Sequence, residues 1–416
     1  MSVREGDTSV PPWVFGFLAA PSGMFYWGVC GILIPFLLRK QGVPVGEISG
    51  IVAIASLPNI WSFVTSPVID LGLSRRTWAL LFASLTGLSA WVAIRWTAGS
   101  ATVITATLFA GGMTQVMVGS AAGALMSTVR PGQRGRAGGW FQAGNIGAGS
   151  LAGGGLIWLS DRVSLEVLAL ASAAMILLPA LAVLRVQETP LPRLAPKALF
   201  AAFFADVWLV LSARRTWLGF VFFCSPAGTG ALANLISSVG PDYHASGDLV
   251  AFITGPGGAV LMGVGSAIGG WICDRVHRKT CYAVFGICSA ACVVYLWLGP
   301  ATAFTYGAGY AAYSFSIGLN FAAYAALLLE VLGRRERGAA TAYAVLQSSG
   351  NIPTTYMTWL DGLGYQYGGA RGLMMTEALV GGIGAISLLL IARHTLRRWP
   401  HLTDVPVPSA AERTTQ

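Results

Sequence analysis

Polar and aromatic side chains inside long apolar segments are the residues of this chain best suited to bind a solute. Amides donate and accept hydrogen bonds and rings stack, which suits a neutral or zwitterionic organic molecule. Polar groups within apolar segments are costly and often mark solute paths. The alternative is that these amides join helices, at about 0.6 kcal/mol for each bond, and Asn145 and Asn351 fit that role best. The candidates are Tyr26, Trp27, Asn59, Trp61, Gln115, Gln142, Asn145, Asn234, Asn320, Tyr324, Gln347, Asn351 and Tyr356.

Two carboxylates are each followed by a basic pair at nearly the same spacing. The two sets are Asp70 with Arg75 and Arg76, and Asp274 with Arg278 and Lys279. A carboxylate at a helix end can cap the amides of another helix and pair with arginine. Simple topology charges would explain the basic residues, but they explain the repeated aspartate less well.

Acidic residues inside the apolar segments are scarce, and two of them are candidates for carrying a proton. Glu330 lies near the inner end of the tenth apolar segment, and Glu377 lies near the outer end of the twelfth. An ionisable group at such a depth is a functional candidate. The simpler interpretation is that both are interfacial charges.

The sequence holds no pattern for catalysis or cofactor binding. The four histidines lie in loops or the tail, and the six cysteines show no ligand spacing. No phosphate-binding GxxxxGK[ST] loop is present. We therefore expect no enzyme activity, no cofactor and no metal site.

The elements that must position these residues are helices that cross a bilayer. Of the 416 residues, 55% are hydrophobic and 10% are charged, whereas soluble domains have about a quarter charged. Long continuous apolar runs favour helices over a barrel, and a span needs about twenty residues. Twelve segments qualify: Trp13–Leu38, Glu47–Ile69, Thr77–Trp96, Ala101–Val129, Ala137–Leu159, Ser164–Leu184, Thr216–Val239, Asp248–Ile272, Cys281–Leu298, Ala301–Val331, Ala339–Leu360 and Gly372–Ala392.

The distribution of basic residues predicts the orientation of this bundle. With the N-terminus inside, the cytoplasmic side holds 21 of the 26 lysines and arginines and the outer side holds 5. This bias follows the positive-inside rule. It predicts a multi-pass protein of the inner membrane with both termini in the cytoplasm. It also explains the net charge of +9 without nucleic-acid binding.

The connection between the sixth and seventh segments divides the chain. The proline-containing stretch 188–196 is typical of a linker, and 197–212 has the pattern of an amphipathic helix on the cytoplasmic surface. The aspartate motif recurs at an offset of 204 residues, and the motif around Asn145 recurs near Asn351 at an offset of 206. Two landmarks at nearly one offset indicate an internal repeat.

These observations predict an all-α polytopic membrane protein with 12 transmembrane helices in two pseudo-symmetric six-helix halves. The expected units are an N-terminal half (1–185), a cytoplasmic linker (186–215), a C-terminal half (216–394) and a cytoplasmic tail (395–416).

This organisation resembles the major facilitator superfamily over essentially the whole chain. The stretch from Gly270 to Lys279 is similar to the superfamily's loop between the second and third helices of a half, and the first copy has Ser66-Pro67 in place of its glycine. The stretch Gly42-Val-Pro-Val-Gly-Glu-Ile48 and the Ser-Pro-x-x-Asp motif resemble the peptide/acetyl-CoA/drug transporter branch, which includes the muropeptide permease.

The resemblance implies a secondary transporter that works by alternating access, with a cavity lined by the first, fourth and tenth helices. It also implies a cytoplasmic gate, formed here by Asp70, Arg75, Arg76, Arg136, Asp274, Arg278, Lys279 and Arg337. We expect proton-coupled uptake of a muropeptide-like, siderophore-like or other neutral or zwitterionic solute. The alternative is a multidrug or metabolite exporter of the same superfamily. The expected partners are the small-molecule substrate, the lipid bilayer and protons, and we expect a monomer.

Overall fold

The structure of the protein is a computed structural model that describes residues 10–71, 73–126, 129, 133–186, 196–332 and 339–398. These residues form helices and connecting turns, and they contain no strand.

Eight continuous helices in the described ranges are long and apolar enough to cross a bilayer, and a bent pair adds a ninth crossing. Seven of the eight are single crossings: Val14–Lys40 (α1), Arg75–Arg95 (α3), Ala101–Leu125 (α4), Leu165–Arg185 (α6), Gly247–Cys273 (α8), Arg278–Leu298 (α9) and Ala303–Leu332 (α10). The bent pair, Val45–Asn59 and Ser62–Asp70, changes direction by 46° and forms α2.

The eighth apolar helix, Thr341–His394, contains two crossings. Its 54 residues would extend about 80 Å as one helix, and the hydrocarbon core is only about 30 Å thick. Gly368 and Gly369 interrupt it with non-helical backbone. Gly369 has φ +59°, which glycine adopts without steric cost. Residues 339–367 are therefore α11, and residues 370–398 are α12.

Interrupted helices make the last two crossings, α5 and α7. In α5, Arg134–Gln142 and Ala148–Ser160 are joined by the π-helical turn Ala143–Gly147. In α7, Arg214–Phe223 is followed by a non-helical stretch and then by short turns from Ala231 to Tyr243. The sequence predicted one continuous seventh segment, and the positive φ of Gly228 and Gly230 explains why the helix is broken there.

The prediction of a twelve-helix membrane bundle in two halves is confirmed. The N-terminal half contains α1–α6 and the C-terminal half contains α7–α12. Between them, the linker helix Pro196–Leu211 packs on α11, where Val210 is buried with Ala342 and Val345.

The bundle has two ends, which differ in their charge. The basic end contains the helix ends at Asp70, Arg75 and Arg185, and the opposite end contains those at Lys40 and Arg95. Consecutive helices joined by short turns run antiparallel, so each half alternates between these two ends.

Candidate functional site

A three-residue cluster joins the two halves at the opposite end. Arg39 of α1 donates from Nη2 to Asp242 Oδ1 at 3.0 Å and to the Tyr365 hydroxyl at 2.9 Å. The Tyr365 hydroxyl in turn donates to Asp242 Oδ2 at 2.9 Å. The Arg39 and Asp242 side chains are each 24% exposed, so the ion pair is mostly shielded from water. We call this cluster the outer latch.

Close backbone packing between the halves also closes the opposite end, next to the outer latch. Gly154 of α5 lies directly against Ala251 and Gly255 of α8, where even one added Cβ would collide with their backbone. Ser237 of α7 donates to the Ile32 carbonyl of α1 at 2.8 Å. A second ion pair between the halves, Arg162–Asp248 at 3.1 Å, lies on the surface.

The same helices separate toward the basic end. Residues 148–160 of α5 pack on residues 247–257 of α8. The remaining parts of the two helices pack within their own halves: residues 134–142 of α5 on α1, and residues 258–273 of α8 on α10. Trp140 of α5 is 51% exposed. On the other side of the bundle, α2 and α11 remain in contact. Ser62 of α2 and Ser348 of α11 share a hydrogen bond of 2.6 Å. The structure is therefore closed at the opposite end and parted between α5 and α8 at the basic end.

A small cavity lies between the halves just below the closed region. Its volume is about 20 Å³, enough for about one water molecule and far below the 300–1,000 Å³ of typical ligand pockets. Its lining comes from both halves and carries no charge: Trp27, Ile32, Ile146, Ser150, Gly230, Ala233, Met262, Tyr310, Ile317 and Phe321. Trp27 and Phe321 meet edge to face across the halves, with ring centroids 6.3 Å apart.

Two predicted solute-binding amides are bonded inside their own halves. Gln115 accepts from Ser22 Oγ at 2.5 Å and donates to Asn59 Oδ1 at 3.0 Å. Asn320 donates to Ser289 Oγ at 2.9 Å. Both amides are 1% exposed. In this state they join neighbouring helices, which is the alternative that the sequence left open.

Other predicted amides and hydroxyls bond across helix pairs of the C-terminal half or between the halves. Tyr324 donates to the carbonyls of Leu346 and Gln347, Tyr356 donates to the Cys224 carbonyl, and Asn234 donates to Thr358 Oγ1. Asn351 donates to the Asn59 carbonyl at 3.2 Å and so joins α11 to α2.

Five further predicted residues differ in their exposure. Trp27 lines the cavity, and the adjacent Tyr26 is buried. Trp61 is half-buried beside Phe109. Within α5, Asn145 is half-buried in the π-helical turn and Gln142 is exposed.

Five of the predicted gate residues lie at the basic end and bond within their own halves. Asp70 binds Arg75 at 2.7 Å, and Arg76 donates to the Leu184 carbonyl at 3.3 Å. Glu330 lies 3.9 Å from Arg278 and 3.6 Å from Lys279. Arg136 and Asp274 are exposed, and Arg337 lies outside the described residues.

Replacing Asp70 by asparagine is expected to slow transport severalfold without changing membrane insertion. The Asp70–Arg75 pair is partly exposed, so its loss should change the free energy of unfolding by less than about 1 kcal/mol. A gate contact that forms only in the other state would nevertheless be lost. Initial transport rate and membrane-inserted yield, measured side by side, test this. Transport at the wild-type rate would show that Asp70 is only a topology charge.

The structure contains a pair of buried acids, of which only Glu377 was predicted from the sequence. Asp361 of α11 and Glu377 of α12 are close neighbours, and Tyr313 of α10 donates to Glu377 Oε1 at 3.1 Å. The sequence ended the eleventh segment at residue 360 and so left Asp361 in a loop. The Gly368-Gly369 pair, seven residues after Asp361, is a turn signal that would have placed the end of the helix beyond Asp361.

Comparisons with known proteins agree with this architecture. A family model described as Major Facilitator Superfamily matches residues 15–353. The crystal structure of a D-xylose-proton symporter is similar to the chain with a TM-score of 0.65 at 14% identity, covering 91% of this chain and 94% of that one. The nucleoside transporter NupG is similar with a TM-score of 0.68 at 12% identity, covering 92% and 99%. No curated protein sequence matches the chain.

Proposed function

The chain belongs to the Major Facilitator Superfamily, and from this premise we propose that it is a proton-coupled carrier that takes up a small neutral or zwitterionic organic solute by alternating access. Membership and fold support secondary transport itself. The solute class, the coupling ion and the direction are our proposal, with muropeptide-like and siderophore-like molecules as the first candidates. Export of a drug or metabolite is the second candidate function.

The observation that carries this proposal is the asymmetry of the interface between the halves. At the opposite end the halves are held by the outer latch and by the Gly154 contact, whereas α5 and α8 part toward the basic end. A carrier must open one end while the other is closed. An interface that is closed at one end and parted between α5 and α8 at the other is the arrangement expected of one such state.

The proposed orientation places the basic end in the cytoplasm of an inner-membrane protein, following the positive-inside rule. In this proposed orientation, the parting of α5 and α8 at the basic end corresponds to an inward-facing state, with both termini inside. The proposed units are the N-terminal half 1–185, the linker 186–215, the C-terminal half 216–394 and the tail 395–416, and we propose that the protein is a monomer.

The chemistry of the cavity supports an uncharged or charge-balanced solute. No lining residue carries a charge at neutral pH, and the rings of Trp27, Tyr310 and Phe321 surround the space. Rings offer stacking surfaces and two of these three have a polar group for a hydrogen bond. Because the volume in this state is about 20 Å³, the cavity must enlarge before it can hold a solute.

Reconstituted flux tests the proposal. Purified protein is screened for stabilisation by a muropeptide fragment, a siderophore, a nucleoside and a pentose, since a bound solute stabilises the folded state. Hits are then assayed in proteoliposomes, with protein-free liposomes as the control. We expect uptake that an inside-alkaline gradient accelerates. Accumulation driven by the reversed gradient would support the exporter, and no flux of any stabilising solute would contradict carrier function.

A further inference from the structure

Asp361 and Glu377 form a buried pair of carboxyl groups without a cation. Asp361 is 0% exposed and Glu377 is 6% exposed. In the part of the chain that the structure describes, no lysine, arginine or histidine forms an ion pair with either group. Two carboxylates side by side in an apolar interior repel each other strongly.

The hydrogen bonds of the pair are incomplete when both carboxyl groups are ionised. In that form, both carboxyl oxygens of Asp361 and Oε2 of Glu377 have no donor in the described structure. The remaining oxygen, Oε1 of Glu377, accepts from Tyr313. Buried polar atoms are rarely left without a partner. One proton on either carboxyl group would supply a donor for the pair and remove one of the two charges.

We propose that Asp361 and Glu377 share one proton and form the site through which proton binding controls the outer latch. This inference rests on the proposed carrier function and assigns its coupling to a defined pair. Of the two acids that the sequence suggested, Glu330 is already bound to Arg278 and Lys279 at the basic end, which suits an interfacial charge. Glu377 differs because its neighbours are a second acid and a tyrosine.

One face of α11 connects this pair to both halves. Thr358, Asp361 and Tyr365 are spaced three and four residues apart and so lie on the same side of the helix. Thr358 accepts from Asn234, whose side chain lies against Gly31 of α1. Tyr365, one turn beyond Asp361, belongs to the outer latch. A shift of α11 at Asp361 therefore reaches the contact that closes the opposite end.

Among the surrounding titratable groups, each acid of the pair has the other acid as its main electrostatic partner. Tyr310 and Tyr313 approach from α10, and Tyr356 and Tyr365 lie on α11 itself. The charged groups at the opposite end include Asp242 of α7, Arg39 of α1 and Arg371 of α12. Arg39 and Asp242 already neutralise each other in the closed state.

Loss of the shared proton has a direct mechanical consequence. One O–H bond breaks, the proton leaves to water, and the pair carries two negative charges in place of one. The hydrogen bond between Asp361 and Glu377 is lost and is replaced by repulsion between α11 and α12. Tyr365 moves with α11 and weakens its bonds to Asp242, so release of the proton favours opening of the opposite end. Binding of a proton from that side favours closure.

Infrared spectroscopy tests the shared proton without any solute. Purified protein in lipid nanodiscs at pH 7 should show the carbonyl stretch of a buried protonated carboxylic acid. The double variant Asp361→Asn/Glu377→Gln should remove that band, because a single remaining buried acid would keep a proton. Each single variant and Tyr313→Phe should shift it. The control Glu166→Gln, an exposed acid in the first turn of α6, should leave it unchanged. Absence of the band from the folded wild type, or its persistence in the double variant, would overturn the proposal.

A distance measurement tests the link to the outer latch. Spin labels on non-natural amino acids at the exposed positions 95 and 367 report the opposite end and leave the natural cysteines in place. Between pH 6 and pH 9 we expect the open population of the wild type to rise at least fivefold. The double variant Asp361→Asn/Glu377→Gln should show less than a twofold change. An equal pH response in both proteins, or a response to sodium and not to pH, would overturn the proposal.

Failure of this inference is distinguishable from failure of the carrier function. Solute flux that is indifferent to pH and unaffected in Asp361→Asn would leave a carrier whose coupling lies elsewhere. A positive infrared and distance result without flux of any stabilising solute would preserve the proton site and contradict the carrier.

Discussion

Gly154→Val is expected to force the opposite end open, whereas Gly155→Val is expected to leave it closed. Gly154 lies against the backbone of Ala251 and Gly255 in the other half, with no room for a side chain. Nothing lies within 4 Å of a Cβ placed on Gly155. The two variants add the same side chain to adjacent positions of the same helix. Their helix propensities therefore cancel, and the comparison isolates contact between the halves.

The expected size of this effect is large. Added methyl groups in a closely packed interface cost about 1–3 kcal/mol, which corresponds to a shift of about fivefold to 150-fold in the ratio of closed to open molecules. The distance between labels at positions 95 and 367 measures it. A thermal unfolding curve shows that each variant is folded. Identical distance distributions in the two variants would mean that the Gly154 contact does not determine the state.

Asp242→Asn is expected to weaken the outer latch far more than Asp248→Asn weakens the surface pair. Asp242 accepts from both Arg39 and Tyr365 and is shielded from water. The amide keeps the shape but leaves the Arg39 charge without its counter-ion, and a hydrogen bond to a charged group contributes about 1.5–3 kcal/mol. Asp248 is 69% exposed, so its pair with Arg162 should contribute less than about 1 kcal/mol.

The same label pair measures this difference. We expect the open fraction at the opposite end to rise at least tenfold in Asp242→Asn and by no more than about fivefold in Asp248→Asn. Raising the ionic strength should diminish the effect of Asp248→Asn, because exposed pairs are screened by salt. Equal shifts in the two variants would show that the outer latch is no stronger than a surface contact.

The helix count was predictable from the sequence because its causes are local. A run of about twenty apolar residues meets the need of the bilayer by itself, and the alternation of basic loops checks the count. Helix interruptions were less visible. The break in α7 depends on two glycines with positive φ at positions 228 and 230, and neither glycine differs by type from the many that stay helical.

The outer latch and the acid pair depend on contacts between residues far apart in the chain. Arg39 and Asp242 are separated by 203 residues, so in the sequence Arg39 is only one of five basic residues on the outer side. Asp361 was missed because a boundary error of a few residues placed it outside the membrane. Gln115 was predicted as a solute-binding residue, and its partners Ser22 and Asn59 could not be predicted because they lie on other helices.

We infer that the two halves close one end of the bundle as they open the other. Two label pairs in one protein test it directly, with positions 95 and 367 at the opposite end and positions 136 and 276 at the basic end. When a stabilising solute or the Gly154→Val substitution lengthens the first distance, we predict that the second shortens. If both distances lengthen together, or if only one end ever moves, the halves do not exchange access and the account is contradicted.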